Sequence, residues 1–318
     1  MTVIPGTKIA VFGGGIMGQG ICQALLMGGY DIALCDISPQ ALDTAKAHIK
    51  TSLEDLHKAE LLKDPAGALG RLSLTTDRAE ALKGAVMLME VIFEDLEVKR
   101  SFFAECEQYA DAETIFATNT SHLNPEDIFS QLKTRHRAVA AHWFNPAHLI
   151  PLVEVAKLSY TDEKYWLKTV DILNDAGKVA VAMKKPVQGL IINRIFSAMA
   201  REACYLNDQG VADVEEIDKA IMATIGYRQF CIGVFKTMDL GNLTDWHPCL
   251  ELLLPLMDNS TTPPASMTKM LNEGRTGIRA GQGYYKYDVA FGSAETDKEI
   301  RRRDEMIMKL LKLQGKQW

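Results

Sequence analysis

Near its start the chain runs Lys8-Ile9-Ala10-Val11-Phe12, then Gly13-Gly14-Gly15-Ile16-Met17-Gly18, then continues as an apolar helical stretch to Met27. A buried strand that stops on glycines and opens directly into a helix permits few folds. Gly28-Gly29 ends the helix and Tyr30 to Cys35 supplies the next strand, so this is a βαβ unit opening a parallel sheet. In that setting each glycine has a task. Gly13 allows the tight turn, Gly15 lets a pyrophosphate approach the backbone, and Gly18 permits close helix–strand packing. The helix N-terminus adds unpaired N–H groups and the positive end of a dipole. Asp36 closes the second strand and is placed to accept hydrogen bonds from ribose hydroxyls. Ile37-Ser38-Pro39-Gln40 offers no cation to a 2′-phosphate, which favours NAD over NADP. The bland alternative is a glycine turn with only a structural role.

Further strands are expected at Val86–Ile92, Thr114–Thr118, Ala138–His142, Leu152–Ala156 and Val179–Met183. Helical patterns occupy 97–110, 162–176 and Ser38 to about Glu60, and Leu61–Ser73 reads as the return of that last helical excursion. After Lys184-Lys185-Pro186 nearly everything reads helical, including 189–207 and 213–223 with Asp213 as N-cap. The expected fold class is α/β: a Rossmann-type dinucleotide-binding domain over 1–187, followed by a smaller all-α domain over 188–318 for substrate binding and dimerisation.

The net charge of −6 argues against a nucleic-acid partner, which demands a basic field. The only dense basic run, Lys298 to Arg303, alternates with acids downstream and reads as a solvated helix face. Six scattered cysteines show no metal-type spacing, and no apolar run reaches the roughly 20 residues needed to span a bilayer. No secretory signal layout opens the chain. A reduced, cytoplasmic enzyme without metal or membrane partner is the expectation.

His142 and Glu154 lie on two short apolar runs that read as neighbouring strands. That layout brings a carboxylate beside an imidazole and leaves a general base aimed at the cofactor. Oxidising a secondary alcohol requires such a base for the hydroxyl proton while the carbinol hydride leaves for a nicotinamide. Glu154 would fix the tautomer and stabilise the imidazolium. Ser121 and Asn193 could hydrogen-bond the substrate oxygen as charge develops.

With these pieces in place the sequence resembles the 3-hydroxyacyl-CoA dehydrogenase family. The matching blocks are Glu90-x-x-x-Glu94-x-Leu96-x-x-Lys99, Asn119-Thr120-Ser121, His142-x-Phe144-Asn145-Pro146, Pro151-Leu152-Val153-Glu154-Val155, Gly189-Leu190-Ile191-Ile192-Asn193-Arg194 and Gly281-x-Gly283-Tyr284-Tyr285. The resemblance implies catalytic roles for His142, Glu154, Ser121 and Asn193. It implies a cofactor site of Gly13, Gly15, Ile16, Met17, Gly18 and Asp36 with Glu90, Lys99 and Asn119, and a homodimer. Plainer readings exist for several of these. Ser121 could cap a helix entered at Leu123-Asn124-Pro125, Asn193 could be a surface residue, and Glu90 could pair with a structural cation. Glu94 reads as structural, capping the helix from Leu96.

The implied substrate is a short L-3-hydroxyacyl-CoA, oxidised reversibly to the 3-oxo compound. Departures from the family pattern bear on that substrate and not on the reaction: His122 stands where a second serine is usual, and Gly233-Val234-Phe235 and Gly241-Asn242-Leu243-Thr244-Asp245 replace familiar turns. Lys50, Lys58 and Lys63, the cations available to a CoA phosphate, are surrounded by Glu54, Asp55, Glu60 and Asp64. Relatives of this fold also oxidise free hydroxy acids, and His122 and His148 would suit a compact anion, or else be surface residues. A retired, structural NAD-binding protein is the remaining alternative; it would place no demand on all four catalytic positions.

Overall fold

The computed structural model describes residues 6–287 and 294–315. Eight strands form one sheet: β1 (Lys8–Phe12), β2 (Asp31–Cys35), β3 (Leu72–Thr75), β4 (Ala85–Glu90), β5 (Ile115–Thr118), β6 (Ala138–Trp143), β7 (Leu152–Lys157) and β8 (Val179–Met183). Their order is β3-β2-β1-β4-β5-β6-β7-β8, parallel throughout except where β6 meets β7. The helices between them are α1 (Ile16–Met27), α2 (Pro39–Lys58), α3 (Pro65–Gly70), α4 (Arg78–Leu82), α5 (Leu96–Cys106), α6 (Pro125–Ile128) and α7 (Glu163–Asp175). The strand order reverses at the parallel β1/β4 pair, with β2 and β3 to one side and β4 onward to the other, and in open α/β sheets the crevice at the carboxyl ends of such strands is where ligands bind.

Alternate residues of each strand face opposite sides, which sorts the core into two layers. Ile9, Val11, Ile32, Leu34, Met87 and Met89 pack with α1, α2 and α7, whereas Ala10, Phe12, Leu88 and Phe116 pack with Phe102 and Phe103 of α5. Being buried on both faces, the central strands read as continuous apolar runs. The expectation of a helical return over Leu61–Ser73 is corrected here. The helical part ends with α3, and Leu72–Thr75 is an edge strand paired with β2.

The chain divides into two units, one running through Ile191 and resuming at Arg302, the other spanning Ile192–Arg301. Relative to the division at 187/188 read from sequence, the described residues from Arg302 onward group with the sheet. Leu311 is buried in the first layer, Ile307 and Met308 pack against it, and Lys312 pairs with Glu60. In the second unit the described residues form α8 (Ile192–Asp208), α9 (Val214–Ile221), α10 (Tyr227–Cys231), α11 (Val234–Leu240), α12 (Leu243–Leu253) and α13 (Ala265–Asn272), and α14 (Ala294–Leu313) begins there.

Candidate active site

The turn after β1 behaves as its glycines require. Gly13 has φ +112°, and a Cβ there would lie 2.6 Å from the Val91 carbonyl oxygen. A Cβ on Gly18 would lie 1.8 Å from the Gly13 carbonyl oxygen, so only glycine lets α1 sit this close to the strand. At Gly15 the opposite holds: a Cβ there would meet nothing within 4 Å, so the space above the backbone at the helix N-terminus is open. No acidic side chain occupies the first turn of α1 to compete for its amides. Asp36 stands at the end of β2, where Oδ2 accepts from the Gly14 amide at 2.7 Å and Oδ1 from the Ser38 amide at 2.9 Å. Each carboxylate oxygen retains a lone pair for a hydroxyl. The open cradle, the free helix terminus and this carboxylate fit a dinucleotide.

Beside the turn, at the carboxyl ends of β1, β4 and β5, lies a cavity of about 230 Å³ lined by Met17, Val91, Ile92, Glu94, Lys99, Asn119, Ser121 and His122. Its floor is ionic. Lys99, 1% exposed, reaches Glu90 Oε1 at 2.6 Å and Glu94 Oε2 at 3.0 Å. Glu90 is fully buried beneath the cavity and does not line it; its oxygens also accept from the Thr118 hydroxyl and the Ile92 amide. Burial pushes the Glu90 carboxyl up, against the pull of Lys99 and those hydrogen bonds. Glu94 is the other way round. Burial alone would raise it, but the Thr120 hydroxyl, Lys99 and the His122 amide outweigh that and bring it down to about 2.

Glu94 therefore has a different job from the helix cap expected of it. Asp95 caps α5 by accepting from the Val98 amide at 3.0 Å, while Glu94 Oε1 gathers the amides of Ser121 (3.0 Å) and His122 (3.2 Å). It pins the loop that carries Ser121. Nor does Ser121 cap α6, because Asn124 does so through the Glu126 amide.

What Ser121 does instead is meet His142. In the antiparallel β6/β7 pair His142 and Glu154 are directly opposite and on one face. His142 Nδ1 lies 3.1 Å from Glu154 Oε2 and its Nε2 lies 3.0 Å from Ser121 Oγ. The far oxygen of Glu154 accepts from the Ile191 amide at 2.9 Å, and the His142 ring stands edge-on to Phe144 at 4.5 Å. Imidazole and carboxylate are 3% and 1% exposed. With the Nδ1 proton given to a buried carboxylate, the Nε2 lone pair faces Ser121, the arrangement of a base waiting for a hydroxyl proton.

Other sequence candidates fall in several places. Asn119 ties two strand ends together, its Oδ1 accepting from the Trp143 amide at 2.7 Å. Ile16 is largely exposed on the first turn of α1, and Met17 lines the cavity. His122 is exposed at the cavity wall, whereas His148 lines a separate cavity. Asn193 stands half-buried in the first turn of α8, in the second unit. Glu94 was the residue whose role sequence reasoning missed; its only signal was its place in the Glu90-x-x-x-Glu94-x-Leu96-x-x-Lys99 block.

Residues 8–186 match the family model described as 3-hydroxyacyl-CoA dehydrogenase, NAD binding domain, and residues 189–287 that of the C-terminal domain. The chain is 31% identical over 293 residues to the mitochondrial hydroxyacyl-coenzyme A dehydrogenase of Rattus norvegicus, covering 88% of this chain and 90% of that one. Among solved structures, the NAD⁺-dependent dismutase 5-formyl-3-hydroxy-2-methylpyridine 4-carboxylic acid 5-dehydrogenase superposes with TM-score 0.89 at 25% identity, over 98% of this chain and 100% of that one. The (S)-3-hydroxybutyryl-CoA dehydrogenase of Ralstonia eutropha superposes with TM-score 0.74 at 27% identity, over 89% and 99%.

Proposed function

The chain belongs to the 3-hydroxyacyl-CoA dehydrogenase family and is an NAD-dependent dehydrogenase acting on a hydroxyl group, and from that premise we propose that it oxidises the 3-hydroxyl of a short L-3-hydroxyacyl substrate to the 3-oxo compound, with His142 as the base. The observation that carries this is the unbroken line Ser121 Oγ, His142, Glu154, with separations of 3.0 and 3.1 Å. NAD, when bound, supplies the acceptor for the carbinol hydride. The protein's part is proton handling. His142 Nε2 takes the hydroxyl proton, Glu154 stabilises the positive charge that then forms on the ring, and Ser121 orients the alcohol oxygen. In the reverse direction the same ring returns the proton. Asp36 and the glycine turn hold the dinucleotide; Asn193 is the proposed second donor to the reacting oxygen.

Replacing His142 by Gln should cut turnover by at least about 100-fold, the usual scale for a lost general base, while NAD affinity measured by fluorescence stays as in the wild type. Near-normal turnover in that variant would sink the proposed base.

The handle on the substrate has two readings. Coenzyme A is supported by the family and by the 31% identity to a hydroxyacyl-coenzyme A dehydrogenase. A compact free hydroxy acid is supported by the surface of α2, where Lys50 pairs with Glu54 and Lys58 with Asp55, leaving little positive field for a nucleotide phosphate. The match at TM-score 0.89 to a dehydrogenase named for a pyridine carboxylic acid agrees with it. Replacing Lys50, Lys58 and Lys63 together by Ala decides. With CoA as the handle, KM for acetoacetyl-CoA rises, more at low ionic strength than at high, and kcat holds. An unchanged KM beside turnover of free hydroxy acids removes CoA from the proposal.

A further inference from the structure

The match to the family's C-terminal domain ends at residue 287, and α14 lies beyond it. From Arg302 onward α14 belongs to the sheet unit. Arg303, Ile307, Met308, Leu311 and Lys312 fall at i, i+4, i+5, i+8 and i+9, which is one helical face. Leu311, 2% exposed, is buried in the same apolar layer as Leu53, Leu56 and Leu61, and Ile307 and Met308 pack against that layer. At one end of the face Lys312 Nζ lies 2.9 Å from Glu60, two residues past the end of α2. At the other end Arg303 comes near His148, whose imidazole is held down to about 4 by burial and by the charges of Lys178 and Arg303. His148 in turn shares a cavity with His48, Ile49 and Ser52 of α2. At helical rise, Ser52 to Glu60 spans about 12 Å and Arg303 to Lys312 about 14 Å, so α14 runs alongside the second half of α2.

We propose that α14 determines specificity: it covers the flank of α2 on which a CoA nucleotide would lie and restricts the substrate to a compact free hydroxy acid. The cavity beside His148 is only about 170 Å³. Pockets for drug-sized ligands run to roughly 300–1,000 Å³, and a CoA nucleotide with its pantetheine arm is larger than such a ligand. The proposal rests on the compact-acid reading and gives it a cause within this chain. What pins α14 is chiefly apolar, because the Lys312–Glu60 pair is exposed to water and such pairs contribute little. Leu311 is therefore the residue to change.

Leu311→Asp places a charge in the apolar layer and should release the end of α14, read as faster amide exchange over residues 302–313. Calorimetric titration of the NAD-bound protein with coenzyme A then tests the cover, at low ionic strength, where the exposed lysines of α2 attract a phosphate most. The variant should bind coenzyme A at least about tenfold more tightly than wild type, and its KM for acetoacetyl-CoA should fall by a similar factor. NAD affinity should stay as in wild type, which shows that the sheet unit is folded. Should Asp prevent folding, Leu311→Ala carries the same test, since it loosens the packing without burying a charge. Released α14 without tighter binding of coenzyme A, or exchange over 302–313 as slow as in wild type, overturns the proposal and leaves the compact-acid reading standing. Micromolar binding of coenzyme A by wild type overturns both.

Discussion

At the scale of single residues, the contrast between Glu154 and Glu94 shows what kind of contact a sequence exposes. His142 and Glu154 sit on consecutive antiparallel strands, so a register read from two short apolar runs already puts them face to face. Glu94 reaches residues 26 to 28 positions ahead, from the loop after β4 to the loop after β5, and those loops are neighbours only once the two strands pair in parallel. No local pattern encodes that. The carboxylate is nonetheless what holds Ser121 in reach of His142. Its depressed pKa fixes the sign of a pH effect. Its contribution to stability is fully present above the ordinary value of 4.5 and is lost as pH falls through about 2. The melting temperature of the wild type should therefore fall more steeply between pH 4.5 and 2 than that of Glu94→Gln. The same variant should lose about tenfold or more in kcat at neutral pH through misplacement of Ser121. Parallel pH slopes and wild-type kcat would remove Glu94 from the site.

Among elements, seven of the eight strands were legible because each is an apolar run bounded by turn residues. β3 escaped because it has four residues, none fully buried, at the sheet edge directly after a short helix. The β1–α1 turn was the most legible element, and the space around its glycines separates fold from function. Gly15→Ala meets nothing within 4 Å and keeps an allowed φ of −70°, so folding should be untouched. The added methyl projects into the open space assigned to the pyrophosphate, so NAD affinity should drop by about tenfold or more while the melting temperature holds. Gly18→Ala drives a Cβ to 1.8 Å from the Gly13 carbonyl oxygen and should lower the melting temperature as well. Tight NAD binding by Gly15→Ala would move the dinucleotide elsewhere.

The whole molecule poses a burial problem that neither residue nor element resolves. The sheet unit has two filled layers. Among the described residues of the second unit, Met270 is the only buried apolar side chain. Meanwhile Phe196, Phe235, Leu240, Leu252, Leu254 and Leu256 are each 60% exposed or more, and an apolar cavity of about 640 Å³ lies between α8, α9, α13 and the 283–287 segment. Isolated apolar residues on a surface need no explanation, but a helical unit with almost no core of its own does. The sequence pointed this way through Ile195-Phe196, Leu250 and Leu252-Leu253-Leu254, and family resemblance pointed to a homodimer. Association of two copies through these helices would supply the missing core. Obligate interfaces of that kind bury roughly 2,000 Å² or more, and burial is worth about 25 cal/mol per Å² before the cost of association. Sedimentation equilibrium should therefore find a dimer at micromolar concentration. Changing Phe235 and Leu252 together to Asp should shift it to monomer and lower the melting temperature, because two charges would enter an apolar contact. A wild type that sediments as a stable monomer would return these side chains to burial within a single chain and end the dimer proposal.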